Sequence, residues 1–443
     1  MKHNRKEKVI YLFVLLSACL VFFSLGRWSA YRFLDKEKES EQIVAEKNDK
    51  EETEEIKDIV QEDSKESVEQ ENGIIEENEI LNETDMKQED PEVSISEKYL
   101  SEMTIEQKVA QLFIITPEAL TGIENVTAAG EATYAALNQY PVGGLVYFDN
   151  NLQSYEQISS MLHTIQQYST EITGLPLFLA VDEEGGSVAR ISGRIFGVDG
   201  IEDMAVIGAS QNYSRAQETG SYIGDYLSEL GFNVDFAPCA DVLTNPENTV
   251  VALRSFGSDA SIVADMVKIQ LNELEKCGIF GVPKHFPGHG ATSEDSHNGY
   301  AYIHKTQEEL DTEEWIPFKK AIDNNARFMM VGHIVCPQIT GDEVPASMSY
   351  KMVTEILRGT LGFDGLVVTD ALNMGAIMTN YSSDTAAVTA ILAGVDLLLM
   401  PTDFQSAYQG VLNAVYNGEI SEDRINKSVR KIIQVKNEIR IHH

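Results

Sequence analysis

Eight short apolar runs recur between residues 99 and 443, and the stretches between them carry the period of amphipathic helices. The runs are Gln111–Ile115, Gly144–Phe148, Leu177–Asp182, Asn233–Phe236, Gly281–His285, Phe328–Gly332, Leu366–Asp370 and Val395–Met400. Helical stretches between them include Tyr155–Tyr168, Asn212–Leu230, Ile262–Lys276 and Glu314–Asp323. Runs this short and this apolar read as strands buried on both faces, and alternation with helices requires parallel crossover connections. Eight repeats in 345 residues predict an α/β fold of the TIM type, a (β/α)8 barrel. The rival is a doubly wound sheet, which wants a glycine-rich phosphate turn after its first strand. Thr116-Pro117-Glu118 stands there instead. Thr104-Ile105-Glu106-Gln107 is a capping box that opens the region and leads into the first run.

Charge divides the rest of the chain. Residues 1–34 carry a net charge of +5 around Val9–Leu25, seventeen residues without a charge. This segment is expected to be a membrane span with its N-terminus in the cytoplasm, which leaves residues 35–443 extracytoplasmic and anchored to the cell membrane. A cleaved secretory signal is one alternative. Lipidation is another, since Leu16-Ser17-Ala18-Cys19 resembles a bacterial lipobox, although Leu20–Leu25 stay apolar after the cysteine. Residues 35–98 hold 25 acidic residues and 8 lysines with no aromatic side chain, the composition of a disordered tether. An ideal coil of that length spans on the order of 45 Å. A coiled-coil stalk is the rival, but Ile43, Ile56, Ile59 and Ile74 keep no heptad. The formal charge of −36 argues against nucleic acid as a partner. Four cysteines without a CxxC pair make neither a disulfide framework nor a cysteine-rich zinc site.

Reactive side chains end the apolar core of several predicted strands: Asp182, Asp235, Lys284-His285, His333 and Asp370. In a parallel barrel those positions meet at the catalytic mouth. The densest segment is KHFPGHGATSEDSH, residues 284–297, a shaped loop rather than a helix. On it Asp295 and His297 stand two apart, where a carboxylate can orient an imidazole and raise its basicity. His285, His289, Asp295 and His297 are also metal-type ligands. Pro287-Gly288 prevents a shared helix face, however, and Lys284 would set a positive charge beside an ion, so no metal is expected.

With VDEEGG, NVDFAPCADV and VVTDALNMGAI, this segment resembles glycoside hydrolase family 3, in its β-N-acetylglucosaminidase branch, from about Met103 to Lys436. The resemblance implies a (β/α)8 barrel and retaining hydrolysis with an aspartate nucleophile, matched here by Asp370. It implies His297 as acid/base with Asp295 as its partner. It further implies Asp182, Arg190, Arg254, Lys284 and His285 as substrate-binding residues. Two positions depart from the family pattern: Ala291 stands where an aspartate usually comes after GHG, and Leu253 precedes Arg254 in place of glutamate. Retention needs a nucleophilic carboxylate and a proton donor at the leaving oxygen. Asp370, with Lys284 expected nearby, suits the first role. A histidine with a reference pKa of about 6.5 suits the second. Other family members take a glutamate from a second domain, whereas this chain is expected to finish with the helix Arg424–Ile439. The expected substrate is an amino-sugar glycan or muropeptide, cut by an exo-acting monomer without a cofactor. A different family 3 β-glycosidase, a phosphate-dependent glycosidase, a metal-dependent hydrolase and a silent glycan-binding domain remain as alternatives.

Overall fold

The protein is described by a computed structural model over residues 91–441 apart from Asn298. The expected membrane span, Cys19 and the linker as far as residue 90 lie outside the described residues. Among the described residues no helix is long and apolar enough to cross a membrane, so the membrane segment has no counterpart there. Residues 91–98, expected as the end of a disordered linker, are helical within Pro91–Glu102. Ser96 and Leu100, four apart and therefore on one face, are buried, and the helix packs on Glu422–Ile441.

Ten strands are described: β1 Phe113–Ile115, β2 Gly144–Tyr147, β3 Phe178–Val181, β4 Val234–Asp235, β5 Phe280–Gly281, β6 Ala301–Tyr302, β7 Phe328–Val331, β8 Ile334–Val335, β9 Leu366–Thr369 and β10 Leu398–Leu399. The ladder order β10-β1-β2-β3-β4-β5 makes a six-stranded parallel sheet, with β6–β8 and β7–β9 as separate parallel pairs. This corrects the expected eight-stranded barrel: the sheet is half a barrel. Among the described residues, isolated bridges, Phe286 to Val331 and Val368 to Leu397, rather than continuous ladders link it to β7–β9. One cause is local. The chain leaving β5 meets Pro283 and Pro287, and a proline has no N–H to give a ladder. Pro283 can only accept, taking the Met330 N–H at 3.1 Å.

Strands β1, β2, β3, β7 and β9 are buried along their whole length, as two-sided burial demands. Helices cover them with apolar stripes. In Ala260–Lys276, capped by Asp259, the residues Val263, Val267, Leu271 and Leu274 are buried at the expected spacing. Because the strands run parallel, their carboxyl ends open on one side, the side where ligands bind in open α/β sheets.

Candidate active site

Two acidic residues come after Asp182 at the end of β3, and they do different work. Glu183 turns back into the protein. Its carboxylate accepts the N–H groups of Arg190, Ile191 and Ser192 at 2.6, 3.0 and 2.7 Å, and the Tyr226 hydroxyl at 2.8 Å. It therefore shapes the loop that carries Arg190. Glu184 faces the strand ends. It accepts Nε and Nη2 of Arg254 at 2.8 and 2.7 Å and Lys284 Nζ at 2.7 Å. Burial would raise its pKa, but Arg254 and Lys284 outweigh that and hold it far below the glutamate range. Lys284 also donates to Asp182 Oδ1 at 2.7 Å. Burial pulls against its charge, and the Asp182 and Glu184 carboxylates push its pKa up. Asp182, Glu184, Arg254 and Lys284 thus form one ionised floor.

Asp241 is the second organiser. Its Oδ2 lies 2.7 Å from His285 Nδ1, and its Oδ1 accepts the backbone N–H of His285 at 3.2 Å and of His289 at 2.6 Å. A carboxylate only accepts, so His285 carries its proton on Nδ1. Its other ring nitrogen lies 3.2 Å from Arg254 Nη2. Gly290 lets the 284–290 segment press against the loop after β4, since a Cβ there would run into the Val242 carbonyl. The Cys239 thiol donates to Asp241 at 3.2 Å. Cys239, Asp241 and His285 are the one trio among the described residues close enough to share an ion, their ligand atoms lying within 4.8 Å of one another. With Asp241 already accepting four donors, the trio is satisfied as a hydrogen-bond network.

Asp370 comes directly after β9. Its Oδ1 accepts the N–H of Ala371 at 2.7 Å. Burial would raise its pKa, but His285 first, then His333, the Ala371 N–H and Lys284, hold it below the ordinary aspartate value. The carboxylate is therefore ionised at neutral pH.

The dyad residues meet. His297 Nδ1 stands 2.7 Å from Asp295 Oδ1, which also accepts the His297 N–H at 2.9 Å. Desolvation works against that carboxylate, but these bonds hold its pKa below normal. Nδ1 is thus the protonated ring nitrogen, leaving Nε2 to exchange protons. The His297 side chain is 63% exposed. Its segment is tied to the chain just beyond Asp370: Gly375 N–H donates to His297 O, and Ala376 N–H to Ser296 O, each at 3.2 Å. Ser296 Oγ lies 3.0 Å from the buried His289 ring.

Arg190 keeps other company. Its Nε is 3.9 Å from Asp149, and its guanidinium lies over the Phe148 ring at 5.5 Å from the centroid. Among the expected binding residues it alone is not in the Glu184–Lys284 and Asp241 networks. Asp235, at the end of β4, is buried with Oδ2 lacking any hydrogen bond, and burial pushes its pKa well up. Sequence reasoning passed over Glu183, Glu184 and Asp241. Their signal was present, as carboxylates within VDEEGG and NVDFAPCADV.

The family described as "Glycosyl hydrolase family 3 N terminal domain" matches residues 104–435. Beta-hexosaminidase A of Pseudoalteromonas piscicida is 31% identical over 325 residues, 68% of this chain and 54% of that protein. Beta-hexosaminidase LpqI of Mycobacterium tuberculosis is 30% identical over 341 residues, 74% of this chain and 82% of that protein. This chain thus spans about half the length of the first relative and most of the second. A solved family 3 β-N-acetylglucosaminidase from Paenibacillus sp. str. FPU-7 superposes with a TM-score of 0.72 at 34% identity, covering 77% of this chain and 64% of that one. The family match runs from residue 104 to 435 and so takes in every residue of the ionised floor and the dyad, which leaves one assignment: the chain belongs to glycosyl hydrolase family 3.

Proposed function

We propose that the chain is a retaining exo-β-N-acetylglucosaminidase acting on terminal β-linked GlcNAc of amino-sugar glycans such as cell-wall fragments. One observation carries the reading. A protonatable imidazole, oriented by Asp295, sits on a segment bonded to the residues just beyond the ionised Asp370. In the first step Asp370 attacks the anomeric carbon, the glycosidic C–O bond breaks, and His297 Nε2 gives its proton to the leaving oxygen. In the second, the same nitrogen takes a proton from water as that water attacks the anomeric carbon and frees Asp370. Asp295 stabilises the imidazolium when it forms. Asp182, Lys284, Arg254 and His285 bind sugar hydroxyls, with Glu184 and Asp241 holding them in place, and Arg190 serves the sugar from the Phe148 side.

The names of the relatives support the amino-sugar specificity, and the dyad supports the two-step course. The test compares p-nitrophenyl β-GlcNAc with the β-glucoside and β-xyloside, each with and without phosphate. Preference for the GlcNAc glycoside with phosphate-independent release is the expected result. A preferred glucoside would reject the specificity. Glycosyl phosphate as the product would replace water as the acceptor.

A further inference from the structure

His333 lies just past the end of β7 and, with Asp235, is one of the two strand-end residues to which the proposed reaction gives no part. It is fully buried, as is Ser347. Its Nε2 lies 3.0 Å from Ala371 O and its Nδ1 2.7 Å from Ser347 Oγ. A carbonyl only accepts, so Nε2 carries the hydrogen, and the bare Nδ1 accepts a hydrogen bond from the serine hydroxyl. Both ring nitrogens are then used in the neutral form, and burial, which lowers the pKa, keeps the ring neutral. Ser347 is itself fixed, its N–H donating to Gly332 O at 3.3 Å. Ala371 is thus held through its carbonyl by His333 while its N–H holds Asp370 Oδ1 at 2.7 Å.

We propose that His333, backed by Ser347, is a positioning residue that aims the Asp370 carboxylate through Ala371. Oδ1 is the tethered oxygen and Oδ2 the attacking one. The inference rests on Asp370 being the nucleophile. It predicts an effect on formation of the glycosyl-enzyme and none on sugar binding, because His333 touches Ala371 rather than the ionised floor.

The test measures the rate at which an activated fluorosugar traps the enzyme, the labelled peptide, and inhibition by free GlcNAc. In His333→Phe, which keeps bulk but no donor, trapping should slow about 10- to 100-fold, the scale set by misplacing a reacting group by about an ångström. Inhibition by GlcNAc should stay within about twofold of wild type. His333→Gln, whose amide nitrogen reaches toward Ala371 O, should recover most of the rate. Ser347→Ala, which frees the ring to exchange tautomers, should slow trapping with GlcNAc inhibition unchanged, and it carries the test if His333→Phe does not fold. Trapping at the wild-type rate in His333→Phe and Ser347→Ala, or equal losses of trapping and GlcNAc binding, would overturn the inference alone. A wild-type label on a carboxylate other than Asp370 would overturn the nucleophile assignment and the inference with it.

Discussion

Glu184→Gln changes one atom type and tests the ionised floor directly. The wild-type carboxylate is 1% exposed and accepts three donors at 2.7–2.8 Å, one from the buried Lys284 and two from Arg254, whose side chain is 13% exposed. Glutamine keeps one acceptor oxygen and turns an NH2 toward groups that only donate. Lys284 retains Asp182 at 2.7 Å, so most of the loss falls on Arg254, which is left beside His285. Removing one partner of a buried pair costs about 3–5 kcal/mol, because the remaining charge stays desolvated. At roughly 2–4 °C per kcal/mol for a large domain, the melting temperature should drop by on the order of 10 °C. Since the folded-state pKa of Glu184 is depressed, its contribution is fully present above the unfolded value and lost as pH falls through the folded one. The gap between wild type and variant should therefore hold across neutral pH and narrow progressively once pH falls below the unfolded-state value. Added salt should change it little, because the pair is buried. Thermal melts from about pH 2 to 8, with and without added salt, read all of this, and Glu184→Gln/Arg254→Met, which removes both charges, should regain part of the loss. A variant that melts with wild type, or a double variant showing the simple sum of two losses, would refute the reasoning.

Asp370→Asn should abolish turnover and leave the melting temperature and GlcNAc binding close to wild type, since the lost charge acts in the transition state; steady-state kinetics with a GlcNAc titration checks it. His297→Ala should cost roughly 10²–10⁴ in rate on poor leaving groups and far less on activated aryl glycosides, with Asp295→Ala milder in the same pattern. A loss independent of the leaving group, coupled to chelator sensitivity, would contradict that assignment. Asp235→Asn should stabilise the protein near neutrality. The raised folded-state pKa of Asp235 means its ionisation opposes folding once pH exceeds the unfolded value, and asparagine removes that penalty; melts at pH 4 and pH 8 should show the gain only at the higher pH.

How much of this site was legible in the sequence depends on how far apart the interacting residues lie. Asp295 and His297 are two residues apart, so their pairing was readable as soon as both were seen on one loop. Strands were readable for the same reason, because burial on both faces writes itself into four or five consecutive residues, and each of the eight runs overlaps a strand. Their pairing into a full ring was not, because it depends on ladders between segments that prolines interrupt. The pair β6 and β8, two residues each, carries no periodic signal at all. Adjacent glutamates make the point most clearly. Glu183 and Glu184 are identical in type, yet burial raises the pKa of one and two cations depress that of the other. Their partners lie 7–9 and 43 residues away for Glu183, but 70 residues away at Arg254 for Glu184. Lys284 reaches Asp182 across 102 residues, and His285 reaches Asp241 across 44. Side-chain chemistry at a strand end can be inferred locally, but which carboxylate meets which cation is decided by the order of strands in the sheet. The residues proposed to touch substrate were therefore legible from motif and position, while those that hold them, Glu184, Asp241 and Ser347, became legible only once the parallel strands had brought their ends together.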